Sequence, residues 1–184
     1  MLNILYEDEA VLVVWKPVGM ESQSGRGVDA DMVSEIKRYL TTKKAVDNHN
    51  LPTKPVEPYV GVIHRLDKPV SGVMVYAKTK NAAASLSKQV AEGKMHKKYL
   101  AVLCGKPVDN NGTYVDYLKQ DKKNNCSRIV DKSDPDGKRA ELEYKVLDCM
   151  QTEEKDPQYL SLVEIKLLTG RHHQIRVQFS GHGT

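Results

Sequence analysis

The sequence predicts an α+β fold in which many strands are accompanied by few helices. Short apolar runs rich in β-branched and aromatic residues are typical of strands. Apolar and charged residues alternate through 141–146 and again within 159–168, which is the pattern of half-buried strands. Helical periodicity is clear in only two segments, and this balance defines the α+β class. The apolar runs are Ile4–Tyr6, Val11–Trp15, Tyr59–Ile63, Val73–Ala77 and Tyr99–Cys104.

The N-terminal half begins with a predicted β-hairpin, because the acidic stretch Glu7–Glu9 separates the first two apolar runs. A helix is predicted from about Val28 to Leu40, with Asp31 on its polar side. Residues 41–58 hold three prolines and few apolar side chains, which predicts an exposed, mobile connection. The apolar positions of the predicted helix are Met32, Val33, Ile36, Tyr39 and Leu40.

A second helix is predicted after the strand 73–77, with Asn81 as its N-cap and Gly93 at its C-terminal end. The run Tyr99–Cys104 predicts a buried strand. Residues 107–139 are rich in turn-forming and charged residues and predict a long hairpin-like excursion. The last segment, 174–179, fits a strand and a helix equally well from its pattern alone.

Composition excludes several classes of protein. The 184 residues are 40% hydrophobic and 28% charged, as in ordinary folded proteins, and their number predicts one domain spanning 1–184. No apolar stretch approaches 18 residues, and the N-terminus lacks a secretory pattern, so we expect no membrane partner. Three widely spaced cysteines predict a reducing, cytoplasmic location. The formal net charge of +4 is compatible with a polyanionic partner.

Two motifs are better explained without a ligand. Gly25–Ala30 matches GxGxxA, but no strand directly precedes it and Asp47 falls in an apparently irregular loop, so a flexible loop is the better interpretation. His172 and His173 are adjacent, and adjacent side chains point apart on a helix or a strand. With no HExxH and no cysteine–histidine cluster, we expect no metal.

Two polar segments are candidates for chemistry. His64–Gly72 crowds four ionisable residues between two apolar runs, and Gly170–Arg176 places many hydrogen-bond donors after a strand. Each alone is compatible with a solvated turn or an anion site. Together they offer a carboxylate, Asp67, that an arginine keeps ionised and nucleophilic. No second carboxylate stands out as a general acid, which argues against glycoside hydrolysis.

The stretch from Lys78 to Lys98 carries six lysines and one histidine against Glu92 alone. Such a run is usually a solvated helix face, but beside an arginine-rich loop it suits a phosphate backbone. A single Phe and a single Trp argue against an aromatic platform for single strands.

Read together, these motifs make the chain resemble pseudouridine synthases of the RluA type, which isomerise uridines in ribosomal or transfer RNA. His64–Asp67 followed by Ser71-Gly72 resembles HRLDxxTSG, with Val70 in place of threonine. Lys97–Ala101 resembles the KxYxA strand, and Leu168–Arg176 resembles LxTGRxHQIR. Two N-terminal segments, Ile4–Asp8 and Trp15–Pro17, resemble the first strands of the same family. The resemblance implies a mixed, largely antiparallel sheet with flanking helices and a central RNA-binding cleft, and it implies a helix after Arg171.

Carried onto this sequence, the resemblance implies roles for individual residues. Asp67 is expected to be the catalytic aspartate, Tyr99 to stack on the target base, and Arg171 to pair with Asp67. Arg65 is expected to fill the gap left by a flipped uridine. The remaining residues expected to bind RNA are His64, Lys97, Lys98 and Arg176. The family's reaction needs neither cofactor nor metal, and a monomer that binds ribosomal or transfer RNA is expected.

The two ends of the chain differ from the family pattern. The sequence is expected to start almost at the catalytic fold, without the small N-terminal RNA-binding domain of many relatives, and it ends at Thr184, where relatives continue through further strands.

A non-catalytic RNA-binding module of the same fold is the main alternative function. A nucleoside hydrolase is disfavoured by the missing second carboxylate.

Overall fold

The computed structural model describes residues 2–24, 30–47, 57–153 and 158–184, and these residues form two compact units, 1–94 and 95–184. All strand ladders in the described residues are antiparallel, and three helices accompany the strands, so the α+β prediction is confirmed. The glycine-containing stretch 25–29 lies outside the described residues, as do 48–56.

The first unit is a four-stranded sheet with two helices. Its elements are β1 (Asn3–Glu7), β2 (Val11–Lys16), α1 (Met32–Asp47), β3 (Gly61–Val62), β4 (Gly72–Ala77) and α2 (Lys80–Ala91), and the strand order is β1-β2-β4-β3. Leu12 lies opposite Tyr76 and Val14 opposite Met74, so all four side chains share one face. That face is buried together with three α1 residues, Met32, Ile36 and Leu40. The predicted hairpin and the predicted apolar face of α1 are therefore confirmed.

The ends of the two helices correct four predictions. α1 continues to Asp47, so residues 41–47 are not a mobile connection and Asp47 is not in an irregular loop. Asp31 is buried rather than on the polar face, because its carboxylate accepts a hydrogen bond from the Ser34 amide at 2.7 Å. α2 is capped by Thr79, not Asn81: the Thr79 hydroxyl accepts a hydrogen bond from the Ala82 amide. Gly93, at φ +69°, follows the helix as predicted.

The second unit is a five-stranded sheet covered on one face by a short helix. Its elements are β5 (Lys97–Cys104), β6 (Asn111–Asp121), β7 (Cys126–Val130), β8 (Lys138–Gln151), β9 (Tyr159–Leu167) and α3 (Gln174–Gly181), and the strand order is β5-β9-β8-β6-β7. The buried core is formed by Leu103, Leu142, Tyr144, Val163, Ile165 and Phe179. β6 and β7 form the expected hairpin within 107–139, and the ambiguous last segment is helical.

β5 corrects the prediction of a buried strand. It is an edge strand of this sheet, and its side chains alternate between the core and solvent. Leu100 and Val102 are 67% and 65% exposed, whereas Leu103 is buried. An unbroken apolar run therefore does not require burial on both faces.

Candidate active site

Asp67 lies in a tight turn between β3 and β4. The Val70 amide donates a hydrogen bond to the Asp67 carbonyl at 3.0 Å, which closes a four-residue turn and leaves the Asp67 side chain exposed. Gly72 ends the loop at φ +155°, and a Cβ there would lie 3.2 Å from Leu66 Cδ1. The backbone conformation therefore favours the glycine of the Ser71-Gly72 pair, and a larger residue would also press on the Leu66 side chain.

The segment that follows β2 holds this turn in place through hydrogen bonds to its backbone. The buried Ser22 hydroxyl accepts a hydrogen bond from the Leu66 amide at 2.9 Å and donates one to the Leu66 carbonyl at 2.7 Å. The Gly19 amide donates to the Lys68 carbonyl at 2.8 Å. Both residues that flank Asp67 are thus held through their backbone groups, so the turn is fixed on a rigid base.

Lys16 is a buried cation beneath the same turn. Its ammonium donates to the carbonyls of Met20 at 2.6 Å, Pro17 at 3.0 Å and Lys68 at 3.4 Å, and its side chain is fully buried. Burial lowers the pKa of Lys16, and the charge of Asp67 opposes this lowering. The ammonium therefore organises the turn and attracts the Asp67 carboxylate.

His64 and Arg65 precede the turn. His64 Nε2 accepts a hydrogen bond from the Val75 amide of β4 at 3.2 Å, so in the neutral ring the proton lies on Nδ1. This bond holds the half-buried imidazole against the sheet. Arg65 is exposed beside it, where its side chain can contact a bound molecule.

Three predicted site residues lie on β5 in the second unit. Tyr99 packs half-buried against the core, and Lys97 shares its side of the strand. Burial lowers the pKa of Lys97, whose Nζ lies within 3.4 Å of where a Gly170 Cβ would stand. Lys98 points to the other face and pairs with Glu164 at 3.1 Å. Lys97 and the loop after β9 are therefore neighbours, whereas Lys98 already has an anionic partner.

The loop after β9 holds Arg171 through its backbone and its side chain. The exposed Arg171 guanidinium donates through Nε to the Arg139 carbonyl at 2.8 Å, and its amide donates to Gln174 Oε1 at 2.9 Å. These contacts fix the loop conformation around Arg171. The pairing of Arg171 with Asp67 involves residues of both units and stays a prediction.

Two buried glutamines, which the sequence reasoning did not select, hold this loop on the sheet. Gln174 also accepts from the Thr169 hydroxyl at 2.8 Å and donates to the Glu141 carbonyl at 3.1 Å and to Gln178 Oε1 at 2.9 Å. Gln178 in turn donates to Asp116 Oδ2 at 2.7 Å. Their spacing of four on an otherwise apolar helix face was the available signal, because buried amides need satisfied partners.

The histidine pair corrects one sequence argument. The rings of His172 and His173 stack with centroids 3.7 Å apart, although adjacent side chains were expected to point apart. The reason is that His173 adopts a left-handed conformation at φ +52°, which is neither helix nor strand. His172 Nδ1 is 2.9 Å from the Ser127 hydroxyl of β7. Arg176 is exposed on α3.

Among the described residues, no group of three or more His, Cys, Asp or Glu side chains could hold a metal ion. The cysteines Cys104, Cys126 and Cys149 are free thiols. Within the same ranges, no helix is long and apolar enough to cross a membrane.

Comparison with solved structures defines the class of the fold. Human RNA Pseudouridylate Synthase Domain Containing 1 superposes with a TM-score of 0.73 and 25% identity, over 100% of this chain and 66% of that one. Human RNA Pseudouridylate Synthase Domain Containing 4 gives a TM-score of 0.70 at 24% identity, over 97% and 64% of the two chains. The fold is therefore that of pseudouridylate synthase domains.

The family follows from sequence. The profile of the RNA pseudouridylate synthase family matches residues 10–181, and the chain belongs to this family, in its RluA-type branch. It is 32% identical to ribosomal large subunit pseudouridine synthase C of Buchnera aphidicola over 98% of this chain and 51% of that protein. It is 33% identical to ribosomal large subunit pseudouridine synthase D of Xylella fastidiosa over 97% and 48%. The chain thus spans about half the length of these relatives.

Proposed function

We propose that this protein is an RNA pseudouridine synthase that acts on uridines of ribosomal RNA, with transfer RNA as the second candidate. The observation that carries the proposal is the Asp67 turn, an exposed carboxylate on a rigid base, in a chain of this family. The names of the relatives, ribosomal large subunit pseudouridine synthases, favour ribosomal RNA. We expect the protein to act as a monomer in the cytoplasm. Its mass in solution, measured by light scattering, tests whether it is a monomer.

The proposed reaction requires the uridine to leave its stack. Flipping costs a few kcal/mol. Contacts between the protein and the phosphates and base of the RNA offset this cost. The N1–C1′ bond then breaks, either by attack of Asp67 on C1′ or through a glycal route in which Asp67 removes a sugar proton. The uracil rotates and C5 bonds to C1′; in the first route this breaks the bond between Asp67 and C1′ and frees the carboxylate, and in the second Asp67 returns the proton to the sugar. The C5 hydrogen then leaves as a proton and N1 gains one. Atoms and electrons balance without a redox step.

Other residues are proposed to act around the carboxylate. Tyr99 stacks on the target base and Arg171 orients Asp67. Arg65 occupies the space that the flipped uridine vacates. Its neighbour His64 and the cations of β5 and α3 contact the RNA, and these are Lys97, Lys98 and Arg176. A positioned carboxylate is what separates this function from RNA binding alone, because phosphate contacts require only cations.

The test is tritium release from ribosomal RNA transcripts labelled at C5 of uridine. The parent should release tritium, Asp67→Asn should release none, and the matched variant Asp148→Asn, at an exposed position of β8, should match the parent. Full activity of Asp67→Asn would show that Asp67 is not the catalytic carboxylate. No release by the parent, with RNA binding retained, would replace the synthase by the non-catalytic RNA-binding module.

A further inference from the structure

Asp116 on β6 lies at one end of a hydrogen-bond chain that reaches the loop carrying Arg171. Its Oδ2 atom accepts a hydrogen bond from Gln178 Nε2 at 2.7 Å. Gln178 Oε1 accepts one from Gln174 Nε2 at 2.9 Å, and Gln174 Oε1 accepts one from the Arg171 amide at 2.9 Å. Both glutamines are buried. The carboxylate and the two side-chain amides therefore form a continuous chain, here called the amide chain.

The amide chain has a direction, because a side-chain amide has a donor end and an acceptor end. The second hydrogen of Gln178 Nε2 goes to the Ala140 carbonyl at 3.3 Å. The second hydrogen of Gln174 Nε2 goes to the Glu141 carbonyl at 3.1 Å. If both amides turned over, the NH2 group of Gln174 would face the Arg171 amide, and two donors would oppose each other. The observed direction is therefore the one that binds the Arg171 amide.

Asp116 is the member of the chain that has a single role. An ionised carboxylate accepts hydrogen bonds and donates none, so it requires the NH2 end of Gln178. Its contact with Gln178, at 2.7 Å, is the shortest in the chain, and a charged acceptor makes the hydrogen bond stronger than a neutral one does. The Ala140 carbonyl favours the same orientation through a longer contact. Asp116 therefore contributes most to the direction of the amide chain.

The carboxylate of Asp116 is itself held in place. Its side chain is 12% exposed, and His182 Nε2 lies 3.2 Å from Oδ2. Since an ionised carboxylate can only accept, His182 Nε2 carries the proton of this contact. The His182 ring stacks on Tyr114 of the same strand as Asp116, with ring centroids 3.9 Å apart and planes inclined by 3°. The carboxylate is thereby presented to Gln178 in a fixed position.

We propose that Asp116 is a positioning residue for the RNA-modifying reaction, because the amide chain that it directs holds the Arg171 loop. The inference rests on the proposed function, in which Arg171 orients the Asp67 carboxylate. Asp116 acts on the backbone of the loop and not on the substrate. Its loss therefore lowers kcat, whereas the KM for RNA is unchanged.

The test compares two substitutions that differ in one acceptor atom. Asp116→Leu removes both oxygens, whereas Asp116→Asn keeps one that can accept from Gln178. The kinetics of tritium release from C5-labelled ribosomal RNA transcripts give kcat and KM. Asp116→Leu should lower kcat about 10-fold, because misplacing a positioned group by an ångström costs up to about 100-fold. Its KM should stay within about twofold of the parent value, and Asp116→Asn should keep kcat within about threefold. Asp148→Leu, at an exposed position of β8, should match the parent.

A second measurement follows the Arg171 amide directly and needs no activity. Hydrogen exchange monitored by NMR gives the ratio of the exchange rates of the Arg171 and Leu142 amides. Leu142 lies in the core of β8, so its amide reports the opening of the whole unit. Asp116→Leu should raise this ratio about fivefold. Asp116→Asn and Asp148→Leu should leave it unchanged.

The two measurements together decide the role of Asp116. A parental kcat in Asp116→Leu would overturn the proposal, as would a lowered kcat with an unchanged exchange ratio. Equal losses of kcat in Asp116→Leu and Asp116→Asn would also contradict it, because the acceptor oxygen would then not matter. If the parent releases no tritium, a raised ratio in Asp116→Leu would retain the control of the Arg171 loop by Asp116 and remove only the synthase.

Discussion

Ser22 and Leu66 are joined by two hydrogen bonds across 44 residues of sequence. The Leu66 amide donates to the Ser22 hydroxyl, and the same hydroxyl donates to the Leu66 carbonyl. Leu66 directly precedes Asp67, so the direction in which the carboxylate leaves the backbone depends on a serine of the preceding loop. Ser22 is 4% exposed, and water cannot replace it without rearrangement.

Ser22→Ala should therefore destabilise the first unit by about 1–3 kcal/mol, because both backbone groups of Leu66 lose their partner. Urea unfolding followed by the fluorescence of Trp15, the single tryptophan of the chain, reports on this unit. Ser87→Ala, at an exposed position of α2, is the matched control and should unfold like the parent. Equal midpoints for Ser22→Ala and Ser87→Ala would contradict the structural role of the hydroxyl.

Lys16→Met should be more damaging. The methionine retains the length and most of the apolar volume of the side chain, but three carbonyls lose the ammonium that they bind. We expect a loss of about 2–4 kcal/mol in the same unfolding experiment. Lys80→Met, on the exposed start of α2, provides the comparison. A Lys16→Met protein as stable as the parent would show that the buried charge contributes nothing net.

Much of the fold could be predicted because each sheet buries one face. Alternation at Leu142 and Tyr144 is sufficient to place β8 on the core. The length of α1 could not be predicted, because its last turns carry no apolar stripe and are held instead by Lys43, which pairs with Glu7 of β1. The exposure of Leu100 could not be predicted either, because the periodicity of the sequence does not show that β5 lies at the edge of its sheet.

Some residues of the candidate site could be predicted from the sequence, and others could be recognised only from the structure. Asp67 and Arg171 could be selected from the sequence because ionisable residues interrupt apolar runs. Ser22 and Lys16 could not be assigned to the Asp67 turn, because they precede it by more than forty residues and only tertiary contacts join them. Gln174 stood within a recognised motif, but its four hydrogen bonds became clear only from the structure.

Gln174→Leu tests how the Arg171 loop is held. The substitution removes all four hydrogen bonds of a buried amide, including the one from the Arg171 amide. We expect a loss of about 1–3 kcal/mol and faster hydrogen exchange at the Arg171 amide, measured by NMR. Gln151→Leu, exposed at the end of β8, should leave that exchange rate unchanged. Unaltered exchange in Gln174→Leu would mean that the loop is held by other contacts.

Glu7 gives the first unit a pH dependence. Its carboxylate is 12% exposed and is 2.7 Å from Lys78 Nζ, 3.0 Å from Lys43 Nζ and 2.7 Å from the Tyr39 hydroxyl. Burial alone would raise the pKa of Glu7, but these three partners outweigh it and lower the pKa from 4.5 to about 2. The carboxylate is therefore bound more favourably when ionised.

A lowered folded-state pKa stabilises the protein above the unfolded value, and this contribution is lost as the pH falls through the folded value. The stability advantage of the parent over Glu7→Gln should shrink as the pH falls from 4.5 to about 2, by up to about 3 kcal/mol. Urea unfolding monitored by tryptophan fluorescence at a series of pH values measures it. Glu9→Gln, at an exposed position of the same turn, should keep the parent's pH dependence. A constant difference between the parent and Glu7→Gln across this range would show that the three partners do not bind the ionised carboxylate preferentially.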